Sequence, residues 1–267
     1  MTLDRTFPAP PPPARPAGHA LLEGKVVVVT AAAGTGIGFA TAARCVEEGA
    51  VVVVSDAHER RLAEAAAELS ELAGAQVLGV PCDVTVDEDV TRLYDETLAR
   101  HGRFDVAVNN AGLGGTVPLV EMADEQWHRV LDVTLTGTFR CTRAALRHLL
   151  PRRQGSIVNN ASVLGWRAQP GQAHYAAAKA GVMALTRCAA AEAAEAGVRV
   201  NAVAPSLALH PFLNRSIGDD DLEVLTRREL FGRGAETWEV ANAIVFLASD
   251  YASYLSGEVI SVSSQHP

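Results

Sequence analysis

The chain has 267 residues, of which 48% are hydrophobic and 20% are charged, and its formal net charge is −8. This is the composition of a globular protein with enough apolar side chain for a full core, and it excludes a wholly disordered or collagen-like chain. We expect no nucleic-acid partner, because no basic run is longer than two residues. We expect no membrane partner either, because no apolar run reaches the ~18 residues of a span.

Cysteine occurs at four scattered positions without a Cys-x-x-Cys pair, and no Cys/His cluster has metal-ligand spacing. These features predict reduced buried thiols, no metal site and a cytoplasmic protein, since the N-terminus also lacks a secretory pattern. Residues 1–20 include four consecutive prolines, Pro10 to Pro13, which favour a disordered, solvated, polyproline-like tail. A single domain is predicted over residues 21–267.

From residue 21 onward, β-branched runs alternate with helical patterns. The runs predict seven strands over 26–30, 51–55, 77–81, 104–108, 156–161, 198–203 and 258–262. Helices are predicted over 37–48, 60–72, 86–101, 175–194 and 238–249, and over a long region, 124–150, that Pro151 ends. The alternation predicts the α/β class: one doubly wound, mostly parallel seven-stranded sheet with helices on both faces. Ligands of such sheets bind beyond the carboxyl ends of the strands.

A glycine-rich turn follows the first predicted strand, with glycines at 34, 36 and 38 around Ile37. Such glycines let the backbone approach a pyrophosphate, and the helix that opens there presents free N–H groups and a positive dipole end. Asp56 follows the second strand, where a carboxylate accepts from ribose hydroxyls and repels a 2′-phosphate, so NAD is favoured over NADP. The nearby Arg60 and Arg61 keep NADP open as the weaker alternative.

Polar side chains also follow the third and fourth predicted strands. Asp83 can accept from an adenine amino group while Val84 packs on the ring. The Asn109-Asn110-Ala111-Gly112 segment places two amides and a glycine at the end of the fourth strand. Each signal is weak alone, but all of them lie at the same predicted edge of the sheet.

The candidate chemistry follows the fifth strand. Ser162 closes that strand, and Tyr175 and Lys179 stand four residues apart, on one helical face. A free tyrosine has a pKa near ~10, and lowering it to ~7 requires roughly 4 kcal/mol of selective phenolate stabilisation. A neighbouring ammonium in a partly desolvated site, helped by a positive nicotinamide ring, supplies that order of energy.

Taken together with Val200-Asn201 and Pro205 after the sixth strand, these segments resemble, in order, the motifs of the short-chain dehydrogenase/reductase family over about residues 22–262. The resemblance implies a Rossmann-type fold and hydride transfer between a nicotinamide and a secondary alcohol or ketone. It implies that Tyr175 is the general acid/base, that Lys179 lowers its pKa and holds the nicotinamide ribose, and that Ser162 binds the carbonyl oxygen. The implied cofactor contacts are Gly34, Gly36, Ile37, Gly38, Asp56, Asp83, Val84, Asn110, Ala111, Gly112, Tyr175, Lys179, Pro205, Ala208 and His210.

Three departures from the family pattern concern candidate site residues. The first glycine of the turn is replaced by Ala31 or Ala32, and the turn is one residue longer than usual. Thr134 stands where the family has the asparagine of its catalytic set, which makes it a fourth catalytic candidate. His210 takes the place of a threonine that contacts the nicotinamide amide, and it is therefore a candidate for a carboxamide or substrate contact.

The substrate side gives fewer signals. Residues 206–230 resemble the substrate lid of the family, and Trp166 and Arg167 are candidates for lining the pocket. Apolar lid residues suit an apolar substrate, and lid arginines suit the head of a CoA thioester: Phe212, Leu213, Phe231, Arg215, Arg227 and Arg228. Residues 161–168 and 263–267 resemble actinobacterial relatives linked to the breakdown of CoA thioesters or steroid rings.

The first hypothesis is therefore an NAD-dependent oxidoreductase for a small hydroxy or keto substrate, such as a hydroxyacyl or ring-hydroxyl CoA thioester. Two alternatives stay open: a 3-oxoacyl thioester reductase that uses NADPH, which Asp56 disfavours, and an inactive cofactor-binding scaffold. The resemblance and the alanine-rich helices over 124–150 and 171–194 favour a homotetramer or homodimer.

Overall fold

The computed structural model describes residues 9–210 and 219–264, with the side chains of 219–221 left aside. Three of the lid residues named above, Phe212, Leu213 and Arg215, lie outside these ranges, as do residues 265–267 at the C-terminus. Within the described ranges, no helix is long and apolar enough to cross a bilayer.

Seven parallel strands form the main sheet, as predicted. They are β1 (Val26–Val29), β2 (Val51–Asp56), β3 (Leu78–Pro81), β4 (Val106–Asn109), β5 (Gly155–Asn160), β6 (Val198–Pro205) and β9 (Val259–Val262). Their order in space is β3-β2-β1-β4-β5-β6-β9, so strands are added on one side of β1 up to β3 and on its other side from β4 onward. Two short strands not predicted, β7 (Ala208–Leu209) and β8 (Ala235–Glu236), form a separate parallel pair.

Helices cover both faces of this sheet. They are α1 (Ile37–Glu47), α2 (Glu59–Ala73), α3 (Asp87–His101), α4 (Asp124–Leu131), α5 (Gly137–Arg152), α6 (Ala173–Ala193), α7 (Asp219–Arg228) and α8 (Thr237–Ala248). Successive strand residues alternate between two cores. Val27 packs with Ile244 on the α1–α8 face, while Val28 packs with Leu93 and Leu149 on the α3–α5 face.

The long helical region predicted over 124–150 differs from the structure in two ways. A π-helical turn over Asp132–Thr136 divides it into α4 and α5. Pro151 does not end it, because α5 includes this proline and runs on to Arg152. A proline so close to the C-terminus interrupts only the last turn, and the chain leaves the helix at Arg153, whose φ is 53°.

The N-terminal tail is only partly the free segment that the prolines predict. Residues 9–20 are exposed and contain no helix or strand. Residues 15–20 are nevertheless attached to the end of α1: Arg44 donates to the Pro16 carbonyl at 2.8 Å, and the His19 amide donates to Glu48 at 2.8 Å. A Cβ on Gly18 would lie 2.1 Å from a backbone oxygen of α1. These contacts hold the backbone of residues 15–20 against the end of α1.

Candidate active site

The glycine-rich turn between β1 and α1 is built for an anionic ligand. Helix α1 begins at Ile37, and its N-cap, Gly36, offers no side chain to the free N–H groups of the first turn. A Cβ placed on Gly34 or Gly36 would meet no atom within 4 Å, so the backbone there borders open space. No acidic side chain stands in the first turn. Pyrophosphate oxygens fit this combination of exposed N–H groups and a positive helix end.

The remaining residues of the turn are held tightly. Ala31 has a φ of 50°, the left-handed conformation that favours glycine, so it occupies the place of the missing first glycine. A Cβ on Gly38 would lie 2.2 Å from the Ala31 carbonyl oxygen and 2.5 Å from the Asn110 amide nitrogen. Glycine is therefore required at position 38 by the close approach of these two neighbours.

The acidic candidates stand where adenosine would be expected. Asp56 ends β2, and its carboxylate accepts from the His58 amide at 2.9 Å and from the Ala33 amide at 3.3 Å. The hydrogen bond from Ala33 therefore links Asp56 to the glycine-rich turn. Asp83 accepts from both the amide and the hydroxyl of Thr85, at 2.9 and 2.7 Å. Val84 beside it is buried and faces Gly137.

Ser162 and Tyr175 are brought together as predicted. Ser162 follows β5, is 8% exposed, and its hydroxyl accepts from the Leu164 amide at 3.2 Å. Tyr175 lies in the first turn of α6 and is hydrogen-bonded to Ser162. Burial raises the pKa of Tyr175, and the hydrogen bond with Ser162 opposes this rise. The expected lowering toward neutrality is thus not found in this structure, because loss of solvation around the phenol outweighs the other influences.

Lys179 lies one turn further along α6 and is 3% exposed. Its ammonium donates to the Asn160 carbonyl at 2.5 Å and lies 5.5 Å from the centre of the Tyr175 ring. Burial lowers its pKa to about 7. In the described part of the chain no carboxylate forms an ion pair with it. A buried cation without a counter-ion, beside a protonated phenol, is typical of a catalytic site.

Thr134 sits in the middle of the π-helical turn, completely buried. Its hydroxyl accepts from the Leu113 amide at 3.0 Å and donates to the Leu113 carbonyl at 3.1 Å. Leu113 belongs to the loop after β4, in which Gly112 faces Lys179 and Gly114 faces the Tyr175 ring. Thr134 therefore contacts the wall of the site, residues 112–115, and its hydroxyl is already engaged with that wall.

The candidates after β6 border the start of the predicted lid. Pro205 is the last residue of β6, and Ala208 belongs to β7. His210 is half-buried, and burial lowers its pKa. Glu229, which the sequence did not single out, is 2% exposed; it accepts from the Leu207 amide at 3.3 Å and from the Ser264 hydroxyl at 2.7 Å. This buried carboxylate ties both ends of the lid region to the C-terminal segment.

Three further polar residues at the site were missed by the sequence analysis. Asn160 gives its carbonyl to Lys179 and its side-chain amide to Asn110, at 2.8 Å. Asn159, on the opposite face of β5, bonds Asn109 at 2.8 Å. His174 is 2% exposed, and its Nδ1 accepts from the Tyr175 amide at 2.9 Å. A detectable signal existed for the first two: adjacent asparagines at the end of an otherwise apolar buried strand.

These residues fit a bound dinucleotide. The open turn suits a pyrophosphate, Asp56 suits the adenosine ribose, and the space beside Lys179 suits the second ribose. An oxidoreductase that uses a nicotinamide dinucleotide and a Ser-Tyr-Lys centre is the class that this fold and site define.

Comparison with known proteins agrees. Residues 31–264 match the family model described as enoyl-(acyl carrier protein) reductase. The chain is 66% identical over 252 residues, 94% of this chain and 96% of the relative, to (5R,7aS)-5-hydroxy-7a-methyl-1-oxo-2,3,5,6,7,7a-hexahydro-1H-indene-carboxyl-CoA reductase of Mycobacterium tuberculosis. It is 43% identical over 246 residues, 92% and 97%, to cis-4-hydroxycyclohexanecarboxylate dehydrogenase of Sinomonas cyclohexanicum.

Among solved structures, a short chain dehydrogenase from Mycobacterium smegmatis superposes with a TM-score of 0.85 at 58% identity, covering 96% of this chain and 98% of that one. The chain belongs to the short-chain dehydrogenase/reductase family. It is an NAD(P)-dependent oxidoreductase that acts on a secondary alcohol or ketone.

Proposed function

We propose that the protein reduces a ring ketone that carries a carboxyl-CoA thioester, with NADH as the hydride donor. The observation that carries this proposal is the pairing of a protonated phenol with Ser162 beside a buried ammonium. Burial raises the pKa of Tyr175, so at neutral pH its O–H is present and ready to be donated. A protonated phenol is the form that a general acid needs to give a proton to a carbonyl oxygen, and the direction of reduction is chosen because the relative that is 66% identical to this chain is named a reductase.

In this mechanism Ser162 donates a hydrogen bond to the substrate carbonyl oxygen and holds it next to Tyr175. The phenol transfers its proton to that oxygen as negative charge develops there. The Lys179 ammonium, which lies 5.5 Å from the centre of the Tyr175 ring, stabilises the resulting phenolate electrostatically. The reduced nicotinamide supplies the hydride when bound. After the phenol has given its proton to the substrate, a proton from solvent restores the Tyr175 O–H and completes the cycle.

The cofactor would be held by three groups of residues. The turn at Gly34, Gly36 and Ile37 presents N–H groups to the pyrophosphate. Asp56 accepts from the adenosine ribose hydroxyls, and its charge opposes a 2′-phosphate, which supports NADH over NADPH. Lys179 holds the nicotinamide ribose. Asp83, Val84 and the backbone at Asn110 to Gly112 complete the adenine and ribose contacts, with Pro205, Ala208 and His210 at the nicotinamide end.

We propose that Thr134 positions the site and does not touch the reacting atoms. Its hydroxyl makes two hydrogen bonds to the Leu113 backbone. Those bonds hold residues 112–115 against α6, where glycines at 112 and 114 leave the space beside Lys179 and Tyr175 open. A threonine can thus serve here in place of an asparagine, because what the loop needs is a short side chain with one donor and one acceptor.

The names of the two relatives support the substrate class. Both are named for a ring compound that bears a hydroxyl and a carboxyl group, and one of them carries CoA. We place the ring between residues 112–115 and the turn at Trp166, which is 45% exposed. Helix α7, with Phe231 exposed just after it, would close over the ring as the lid, and the exposed Arg228 is suited to the CoA phosphates.

A second candidate, reduction of 3-oxoacyl chains on acyl carrier protein, is favoured by the 39% identity over 241 residues to a 3-oxoacyl-[acyl-carrier-protein] reductase of Thermotoga maritima. The two proposals are separated by following NADH or NADPH absorbance with 4-oxocyclohexanecarboxyl-CoA, its free acid and acetoacetyl acyl carrier protein. We expect kcat/KM at least about tenfold higher for the ring thioester with NADH than for any other pair. Faster turnover of the acetoacetyl carrier protein with NADPH would establish the second candidate.

We further propose that the protein works as a homotetramer or homodimer in the cytoplasm. Large apolar side chains are exposed on the outer surface of the fold, including Phe139 on α5 and the nearly fully exposed Tyr254 beside β9. Alanine-rich α6 is compatible with close packing against a second copy. The thiols of Cys45, Cys82 and Cys141 are buried, whereas Cys188 is exposed, so the prediction of buried thiols is wrong for Cys188. Light scattering after gel filtration measures the assembly directly.

A further inference from the structure

Two adjacent glycines beside the phenol of Tyr175, Gly114 and Gly115, are not required by the fold. A fold requires glycine where φ is left-handed, or where a neighbouring atom would lie within 3.0 Å of an added Cβ. In the described part of the chain, five glycines meet neither condition, and all but one of them border the candidate site: Gly36, Gly79, Gly112, Gly114 and Gly115.

A side chain at either position would extend toward the first turn of α6. A Cβ on Gly114 would lie 3.8 and 3.9 Å from two carbons of the Tyr175 ring, and one on Gly115 would lie 3.6 Å from Nε2 of His174. These are ordinary contact distances, and apart from chain neighbours no other atom of the described residues lies within 4 Å. Both glycines are exposed, and Tyr175 keeps some accessible surface. The missing side chains therefore leave a gap beside the phenol ring.

Mobility of the loop does not explain these glycines. On one side of them, two hydrogen bonds between Thr134 and the Leu113 backbone hold the loop. On the other side, the Val117 amide donates to the Gly171 carbonyl at 3.0 Å. Glycine in a loop that is held at both ends costs conformational entropy without a gain to the fold. Space for a ligand is the physical reason that remains.

We propose that Gly114 and Gly115 are specificity-determining residues that admit a substrate whose carbonyl group is part of a ring. This inference rests on the proposed reduction of a ring ketone, and it names the residues that select the ring. A rigid ring carries both neighbours of the carbonyl carbon in one wide body, so it needs the gap that a side chain at position 114 would fill. A flexible 3-oxoacyl chain can turn away from the same side chain.

Gly114→Ala and Gly114→Val test the proposal by filling the gap in two steps. Turnover of 4-oxocyclohexanecarboxyl-CoA is compared with that of acetoacetyl-CoA, a linear ketone on the same carrier, with NADH in both cases. We expect kcat/KM for the ring thioester to fall about tenfold in Gly114→Ala and further in Gly114→Val. For acetoacetyl-CoA it should change less than about threefold, because the chain can bend around the added methyl group. Gly115→Ala should act in the same direction.

Two further measurements separate a role in specificity from a role in the fold or in cofactor binding. The melting temperature should stay unchanged or rise by about 1–4 °C, because replacing a glycine that the fold does not require lowers the entropy of the unfolded chain. The Kd for NADH should stay within about twofold of wild type, since the two glycines face the phenol and the histidine before it.

Gly79→Ala is the matched control. Gly79 lies in β3 and packs against Leu62 and Ala66 of α2, away from the phenol. The ratio of ring to linear turnover in this variant should equal that of wild type.

An unchanged ratio of ring to linear turnover in folded Gly114→Val would overturn the inference alone. Weaker NADH binding in step with the lost turnover would assign the gap to the cofactor, and a lower melting temperature with equal losses on both substrates would assign the glycines to the fold; either result overturns the inference. Where wild type does not reduce acetoacetyl-CoA, the KM for the ring thioester, set against NADH affinity, carries the test. Failure of wild type to reduce the ring thioester would overturn the proposed function before any variant is measured.

Discussion

At the amino-terminal edge of the sheet, Glu48 is fully buried and still charged. It accepts from Arg44 at 2.5 Å and from the amides of His19 and Leu21 at 2.8 and 3.0 Å. At the carboxyl-terminal edge, Lys179 is almost as inaccessible, but among residues 9–210 and 219–264 its ammonium has a backbone carbonyl and no carboxylate as partner. The pKa values of Glu48 and Lys179 reflect this difference in partners. Burial raises the pKa of Glu48, but the hydrogen bonds from Leu21 and His19 lower it overall; burial alone lowers that of Lys179 to about 7.

Asp105 repeats the pattern of the amino-terminal edge. Just before β4, it accepts from the Val26 amide at 2.9 Å, from Arg103 at 3.1 Å and from Arg152 at 3.0 Å. Arg199 nearby donates to the last carbonyls of α8, with the shortest contact, 2.7 Å, to Leu247. The comparison teaches that one edge satisfies its buried charges with partners and so stabilises the fold. At the other edge, the described residues give the Lys179 ammonium a backbone carbonyl and no carboxylate, so its charge is not balanced within the fold.

The largest effect is expected where the proton is donated. Tyr175→Phe removes the phenol O–H, so kcat should fall about 10³-fold, within the range measured for loss of a general acid. NADH affinity should remain within about twofold of wild type, because other residues hold the dinucleotide. Stopped-flow absorbance and fluorescence titration measure these two quantities.

Tyr94→Phe is the matched control for that substitution. Its hydroxyl is buried and has no hydrogen-bond partner in the described residues, and it lies on the α3–α5 face. Its removal should leave kcat unchanged. Normal turnover by Tyr175→Phe would refute the assignment of the proton donor.

The next largest effect is expected at the amino-terminal edge of the sheet, where Glu48 pairs with Arg44. Glu48→Gln leaves the buried Arg44 guanidinium without its counter-charge, and unfolding free energy should fall by about 3–5 kcal/mol. Because the folded pKa of Glu48 is lowered, its stabilisation is present above its unfolded pKa and is lost as pH falls through the folded pKa. The stability difference between wild type and variant should therefore shrink under acidic conditions. Urea unfolding at several pH values tests this.

Glu47→Gln provides the comparison for Glu48→Gln. Glu47 also pairs with Arg44, at 3.0 Å, but its side chain is 26% exposed. Its substitution should cost less than about 1 kcal/mol. Equal losses in the two variants would contradict the distinction between a buried and a partly solvated pair.

At the carboxyl-terminal edge of the sheet, substitution of Lys179 should raise the free energy of unfolding, the opposite of the effect expected for Glu48. Lys179→Met removes a buried ammonium without a counter-ion, so stability at pH 7 should rise by about 2–4 kcal/mol while turnover is lost. Since the folded pKa of Lys179 is about 7, against an ordinary value of 10.5, wild-type stability should increase with pH across this window. The variant should lack that slope. A less stable Lys179→Met protein would show that the lysine serves the fold.

A smaller effect is expected from Thr134→Val, which keeps the shape and removes the hydroxyl. Losing both hydrogen bonds to Leu113 should let residues 112–115 move, and kcat/KM should fall about tenfold, equivalent to ~1.4 kcal/mol. Thr97→Val is the control, since the Thr97 hydroxyl donates to the Leu93 carbonyl within α3, away from the candidate site. Steady-state kinetics distinguish the two variants. Equal activity in both would remove Thr134 from the site.

Much of this architecture was predictable because its signals are local. A run such as Val26 to Val29 can be satisfied only as a strand buried on both faces, and α1 must begin near the glycines that precede it. The four-residue spacing of Tyr175 and Lys179 places them on one helical face whatever the rest of the chain does. The π-helical turn at Thr134 and the continuation of α5 through Pro151 were not predictable, since packing against neighbouring elements decides both.

The sequence by itself determined the strand–helix alternation, the edge of the sheet that carries the candidate site and the Ser-Tyr-Lys set, because each depends on residue type and short-range spacing. Only the tertiary structure decided how charge is balanced. Glu48 and Arg44 meet the N-terminal segment, Asp105 meets Arg152, and Asn160 joins Lys179 to Asn110 across the sheet. Partners so far apart in the chain are chosen by the packing of the whole fold, and that packing also sets the solvation on which their pKa values depend.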